Sequence, residues 1–213
     1  MWGKKMGGMM MVTRRYLLCL LLACSLFGQA DAYNWRAFAQ NYIEAPEGQV
    51  SQLMFSPEDP IERMLCSLIA NEVEKVQLMQ FMVTNKKISD ALVRKAGQGV
   101  SVELIIDGGN FDCPFSKVSY LRNNGITVHN HERVQTPFYQ KLMHEKVIIF
   151  HNNMALPGGG SLVLFGSCNL TSSACRHNRE NLYISNEAAL VSRFIERFAT
   201  AVTICESMLA CRV

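Results

Sequence analysis

The sequence predicts an α/β layered domain, and three observations carry that expectation. Short apolar runs of strand-like composition alternate with amphipathic helical stretches from Gln49 onward. Hydrophobic residues make up 49% of the chain, enough for a sizeable core and too many for global disorder. The length, 213 residues, suits one domain with a short appendage.

The elements follow in order. Val50 to Phe55 is a short apolar strand, closed by Ser56-Pro57-Glu58-Asp59-Pro60. Pro60 suits the start of a helix that runs from Ile61 towards Val73, with Met64, Leu65, Leu68 and Ile69 on one face. Val76 to Val83 reads as a strand, and Lys86 to Ala96 as a helix ending near Gly97 and Gly99. Val100 to Ile106 is a strand that ends at Asp107-Gly108-Gly109, a turn that borders any cleft there. A short helix over Ser116 to Arg122 stops at Asn123-Asn124-Gly125, and Ile126 to Val128 is the next strand. His129 to Leu142 is polar, aromatic and irregular, a long loop. Lys146 to Phe150, Ser161 to Phe165 and Asn181 to Ser185 are three further strands. A final helix from about Glu187 to Met208 buries Leu190, Val191, Phe194, Ile195, Phe198 and Val202 at helical spacing.

The first 32 residues are set apart from this domain. Lys4, Lys5, Arg14 and Arg15 precede the apolar run Tyr16 to Phe27, and Ala30-Asp31-Ala32 follows, the pattern of a secretory signal peptide. The run falls short of the roughly 20 apolar residues a spanning helix needs, so no stable membrane span is expected in the mature chain. Two alternatives stay open: a lipoprotein anchored at Cys24, and a twin-arginine signal at Arg14-Arg15. Residues 33–48 form an extension ahead of the domain, 49–213. Either route exports the protein, to the periplasm or beyond the cell.

Setting the leader aside changes the charge balance. The whole chain has 21 basic and 18 acidic side chains, and the leader holds four basic and one acidic, which leaves 17 of each. A nucleic-acid binder usually shows a basic excess; here only a local patch is open, such as Arg176-His177 and Arg179. Cys66, Cys113, Cys168, Cys175, Cys205 and Cys211 lie beyond the leader, and export makes a disulfide through Cys113, Cys175 or Cys211 an expectation. No Cys-x-x-Cys spacing points to a structural metal.

Chemistry concentrates between His144 and Asn181. His144 and Lys146 are two apart at a strand start, so both side chains share a face. Gly166-Ser167-Cys168-Asn169 ends the next apolar strand, where Ser167 and Asn169 donate to a phosphoryl oxygen and Gly166 lets a ligand approach the backbone. Glu180 lies downstream. An ordinary strand-to-loop turn uses the same residue types, and exposed loop positions account for His129 and His131.

The combination resembles the phospholipase D superfamily, with its His-x-Lys-(x)4-Asp, Gly-Ser-x-Asn and downstream acid. His144, Lys146, Gly166, Ser167, Asn169 and Glu180 match at the family's spacing, and the likeness extends over nearly all of the chain after Gln49, Phe55-Ser56-Pro57 included. It is similar to the compact single-motif members, the bacterial exported endonuclease and the mitochondrial cardiolipin hydrolase. The resemblance implies a layered sandwich with a mixed central sheet flanked by helices. It also implies a metal-free and cofactor-free ping-pong phosphodiesterase. His144 would be the nucleophile, forming a phosphohistidine, while Lys146 and Asn169 hold oxyanions with Ser167 in support. Glu180 would orient the imidazole. One motif per chain implies a homodimer that completes the site.

One position departs from the pattern: His151 stands where the motif has its aspartate. It supplies no fixed negative charge, and if protonated it would repel Lys146. Three readings follow: a phospholipid phosphodiesterase active in lipid degradation, favoured by the neutral charge and by Phe111, Phe115 and Phe138 in loops; an exported nuclease; and a binding protein with weakened chemistry.

Overall fold

The structure, a computed structural model, describes residues 48–210. The expected leader, Cys24, nearly all of the 33–48 extension and Cys211 lie outside the described residues. Among these, nine strands and five α-helices follow one another as β1 (Ser51–Ser56), α1 (Ile61–Asn71), β2 (Lys75–Gln80), α2 (Lys86–Gly97), β3 (Ser101–Asp107), α3 (Val118–Asn123), β4 (Thr127–His131), β5 (Val134–Gln135), β6 (Gln140–Lys141), β7 (Lys146–Phe150), β8 (Leu162–Gly166), α4 (Ser172–Arg176), β9 (Glu180–Ser185) and α5 (Ala188–Ala210). The alternation expected from sequence is therefore present, with boundaries moved by one to three residues at most ends. The segment expected to be a loop, His129 to Leu142, holds instead the end of β4 and a β5–β6 hairpin.

Seven strands form one mixed sheet in the order β1-β9-β8-β7-β2-β3-β4. β2, β3 and β4 run parallel, joined through α2 and α3, while the pairs from β1 to β2 are antiparallel. This arrangement decides where chemistry can occur. The pairings Ser56↔Glu180, Gly166↔Leu182, Lys146↔Gln80 and Asp107↔His131 all fall at one end of their strands. One edge of the sheet thus collects the end of β1, the start of β9, the end of β8, the start of β7 and the ends of β2, β3 and β4.

Helices cover both faces, so the central strands read as continuous apolar runs instead of alternating ones. α5 packs Val191, Phe198, Ala201 and Cys205 onto Met79, Ile105, Val147, Ile149 and Val163. The opposite parity of the same strands, Leu78, Leu104, Ile148 and Leu164, is also buried, beneath the shorter helices. α1 contributes Ile61, Met64, Leu65, Leu68 and Ile69, the face its spacing predicts.

Glu62 ties these shorter helices together. Its carboxylate accepts from Arg176 on α4, from Asn85 Nδ2 at 2.7 Å and from Lys87 at 3.2 Å. Asn85 in turn caps α2 through Ile88 N–H at 3.2 Å. Burial opposes ionisation of Glu62, but hydrogen bonds from Arg176, Asn85 and Lys87 outweigh it and hold the carboxyl at about 2, below its ordinary 4.5. Cys66, Cys113, Cys168, Cys175 and Cys205 are free thiols, so the expected disulfide is not formed among the described residues. None of the helices there is long and apolar enough to cross a membrane.

A carboxylate with a lowered value stabilises the fold above the unfolded-state value and loses that contribution as pH falls through the folded one. Urea midpoints should therefore decline between about pH 4.5 and about pH 2, and Glu62→Gln should flatten that part of the profile while lowering stability at neutral pH. An unchanged profile in the variant would remove Glu62 from its linking role.

Candidate active site

The edge that gathers these strand ends is built around a buried acid. Asp107, at the end of β3, is fully buried and accepts Arg133 Nε at 2.7 Å, Gly109 N–H at 3.1 Å, the Asn110 amide at 3.3 Å and Met143 N–H at 3.2 Å. The last of these bonds fixes the backbone one residue before His144. A Cβ on Gly109 would run into the Arg133 guanidinium and push it from its place on Asp107. In sequence Asp107 reads as a turn former beside a cleft; the structure makes it the support for the residues that follow.

Phe81, just past β2, lies in the middle of the charged groups. The His144 ring meets it at 4.7 Å between centroids, Lys146 Nζ lies 5.1 Å from its centre and the Arg133 guanidinium carbon 5.7 Å. One aromatic ring therefore holds three cationic or potentially cationic side chains in register. Neither Phe81 nor Arg133 stands out in the sequence. The strand was expected to run to Val83, which hid Phe81 inside it; β2 stops at Gln80 because Val83, Thr84 and Asn85 pair instead with Leu170. Arg133 lay within the segment assigned to a loop.

His144 is exposed and Lys146 is 6% exposed. Lys146 Nζ lies 3.0 Å from His144 Nδ1 and donates to the His144 carbonyl at 2.8 Å. Burial pushes the Lys146 ammonium down in pKa, while Glu180 and Asp107 act to raise it. That Coulombic coupling places Glu180 in the same neighbourhood. The expected contact between Glu180 and the imidazole is replaced: Nδ1 faces Lys146, and the Glu180 carboxylate accepts Ser167 Oγ at 2.5 Å and Asn178 Nδ2 at 3.2 Å.

The Gly166–Asn169 turn also differs in detail from its expected use. A Cβ on Gly166 would come within 2.3 Å of the Asn181 carbonyl, so the glycine admits the β9 backbone and not a ligand. Ser167 donates its hydroxyl hydrogen to Glu180 and accepts Asn181 N–H at 3.0 Å, so it steadies Glu180 instead of facing a phosphoryl oxygen. Asn169 Oδ1, an acceptor, is buried with no partner among the described residues, so the donation expected of this residue rests on its Nδ2 alone. His129 and His131 belong to β4 and are half-buried, not exposed in a loop.

His151 stands at the far end of β7. Five residues separate it from Lys146, about 17 Å along a strand. Its Nε2 pairs with Gln77 Oε1 at 2.9 Å, and burial, aided by Lys75, pushes its pKa down and favours the neutral ring. The expected repulsion of Lys146 therefore does not arise. The acid that organises this end is Glu72, fully buried, whose Oε1 accepts the N–H groups of Glu74, Lys75 and Asn152. Arg176, part of the local basic patch left open by the sequence, is committed to Glu62.

A histidine and a buried lysine thus converge at one edge of an α/β sandwich, and comparison with known proteins gives the family. Residues 65–202 match the family described as cardiolipin synthase, PLD-like domain, and the chain belongs to it. It is 23% identical over 189 residues to a phospholipase D of Rickettsia conorii, covering 83% of this chain and 88% of that protein. It is 29% identical over 163 residues to the human mitochondrial cardiolipin hydrolase, covering 76% of this chain and 58% of that one. Among solved structures it is similar to the phospholipase D family member Nuc of Salmonella typhimurium, at a TM-score of 0.59 and 26% identity over 72% of this chain and 93% of that one.

Asp107→Ala should cost about 3 kcal/mol or more in chemical denaturation, since it leaves Arg133 without its buried partner; a loss below about 0.5 kcal/mol, the size of an ordinary surface change, would contradict the supporting role. His151→Gln should keep hydrolysis of bis(p-nitrophenyl) phosphate within about twofold and cost about 1 kcal/mol of stability. A large drop in rate with intact folding would tie His151 to the chemistry.

Proposed function

We propose that the chain hydrolyses a phosphodiester, and phospholipid in particular, through a phosphohistidine on His144. The observation that carries the reading is the His144–Lys146 pair at the sheet edge, with Nζ 3.0 Å from Nδ1. Attack through Nε2 needs that nitrogen unprotonated, hence a proton on Nδ1 and an acceptor facing it. An ammonium is no acceptor. Substrate supplies the change: phosphoryl oxygens draw Lys146 from the ring, and Nε2 gives its proton to solvent as Nδ1 takes one up. Asn169 Nδ2 donates to a second oxygen, and Glu180 accepts the hydrogen bond from Nδ1–H.

The nitrogen–phosphorus bond then forms as the bond to the leaving alkoxide breaks. The alkoxide takes a proton from His144 of a second copy, which implies an isologous homodimer. Water, deprotonated by that same imidazole, attacks phosphorus and releases His144. No step requires a metal or a cofactor.

Phospholipid is favoured by the balanced charge beyond the leader, by the engagement of Arg176 with Glu62, and by relatives named phospholipase D and mitochondrial cardiolipin hydrolase. An exported endonuclease is the second reading, supported by the compact one-domain architecture and by exposed Arg179. Export by the signal-like leader suits either.

His144→Ala or Lys146→Ala should lower hydrolysis of bis(p-nitrophenyl) phosphate by about 1,000-fold or more with the fold intact, while chelators leave the wild-type rate unchanged. Equal rates in wild type and His144→Ala would leave only a binding role. Sedimentation should show a dimer, and an active monomer would overturn the shared site. Labelled phospholipid vesicles and single- and double-stranded nucleic acids, tested side by side, separate the two substrates.

A further inference from the structure

The β5–β6 hairpin stands directly on the catalytic support, and no step of the proposed chemistry uses it. Its first strand follows Arg133 and its second leads into Met143, and both of these residues are fixed by Asp107. The tip is built, not loose. The Thr136 hydroxyl donates to the Tyr139 carbonyl at 2.6 Å and accepts Tyr139 N–H at 3.0 Å, while Thr136 N–H also reaches that carbonyl at 2.9 Å. Pro137 presets the turn between them. This closed turn holds Phe138 out with 93% of its surface exposed and Tyr139 with 60%; Val134 and Leu142 at the base are exposed as well.

Two aromatic rings held in water by a constrained turn call for a partner. The charge of the segment says which kind. Residues 133–142 contain no acid, although Glu132 precedes them; Arg133 is taken up by Asp107, which leaves Lys141 as the cation at the base of the hairpin. An aromatic tip above Lys141 matches the layering of an anionic bilayer, where rings settle at the headgroup level and an ammonium meets a lipid phosphate. The area argues the same way. A stable protein interface needs about 800 Å² per partner, whereas two rings supply only about 150–250 Å² each. The hairpin alone is therefore too small for a second copy and large enough for insertion into lipid. At about 3.3 Å per residue, its tip reaches roughly 15 Å from Asp107, which suits a headgroup lying over His144.

We propose that the Phe138–Tyr139 hairpin tip is a docking element for an anionic phospholipid surface, placing lipid phosphodiesters beside His144. The proposal rests on the phospholipid reading above and deepens it.

The test uses the full chain and sedimented vesicles of phosphatidylglycerol mixed with phosphatidylcholine, against vesicles of phosphatidylcholine alone. Wild type should bind the anionic vesicles, and the Phe138→Ser, Tyr139→Ser double variant should bind them roughly 10-fold or more weakly. Both should hydrolyse bis(p-nitrophenyl) phosphate equally, which also shows that the variant folds. Phe138→Trp should show a blue-shifted emission on adding anionic vesicles, over and above any change in the wild-type protein. Equal vesicle binding by the double variant, or an unshifted Phe138→Trp, would overturn the proposal. So would a double variant that becomes monomeric, which assigns the tip to a second copy, or one that loses affinity for labelled oligo(dT) as strongly, which assigns it to stacked bases. Hairpin-dependent binding without lipid hydrolysis would sink the substrate reading and leave the docking element standing; lipid hydrolysis indifferent to the hairpin would do the reverse.

Discussion

The buried carboxylate of Asp107 is the constraint on which the candidate site depends. An ionised acid with no exposed surface is tolerated only when charge and hydrogen bonds meet it on every side. Here Arg133 brings the charge, and Gly109, Asn110 and Met143 bring donors. Meeting that demand pulls three chain segments that are distant in sequence to one point. The path into β7 is set by it, and so is the position of His144. Phe81 completes the arrangement by giving His144, Lys146 and Arg133 a common surface to pack on.

Topology does the remaining gathering. Antiparallel pairing from β1 through β2 alternates strand starts and strand ends along one edge, so Glu180, Gly166 and Lys146 become neighbours although up to 34 positions part them. A second layer of connections, centred on Glu62, ties α4 to α1 and to the segment that opens α2. α4 follows the Asn169 turn within a few residues, so this linkage steadies the turn from behind.

Much of this was legible in the sequence. Apolar runs such as Val100 to Ile106 and Lys146 to Phe150 announce buried strands because both faces are covered, and the 188–210 helix declares itself by its spacing. His144, Lys146 and Asn169 were recognisable from residue type and order. The partners were not. Which group faces His144 Nδ1, or that Gly166 makes room for Asn181 and not for substrate, depends on contacts between strands that no local pattern encodes. Glu62, Phe81 and Arg133 escaped for the same reason: each acts through residues distant in sequence. The hairpin inside the expected loop is only two residues per strand, too short for period-two alternation to show.

The position of His151 bears on how such a motif should be understood. Its letters are contiguous in the chain, yet they lie at opposite ends of one strand and answer to different demands. One end carries His144 and Lys146; the other joins β7 to the loop held by Glu72. The two ends can diverge independently, each constrained by its own neighbours. A search that insists on the full string would discard this chain for a change at the end remote from His144, so the string is better read as two short signatures that share a strand.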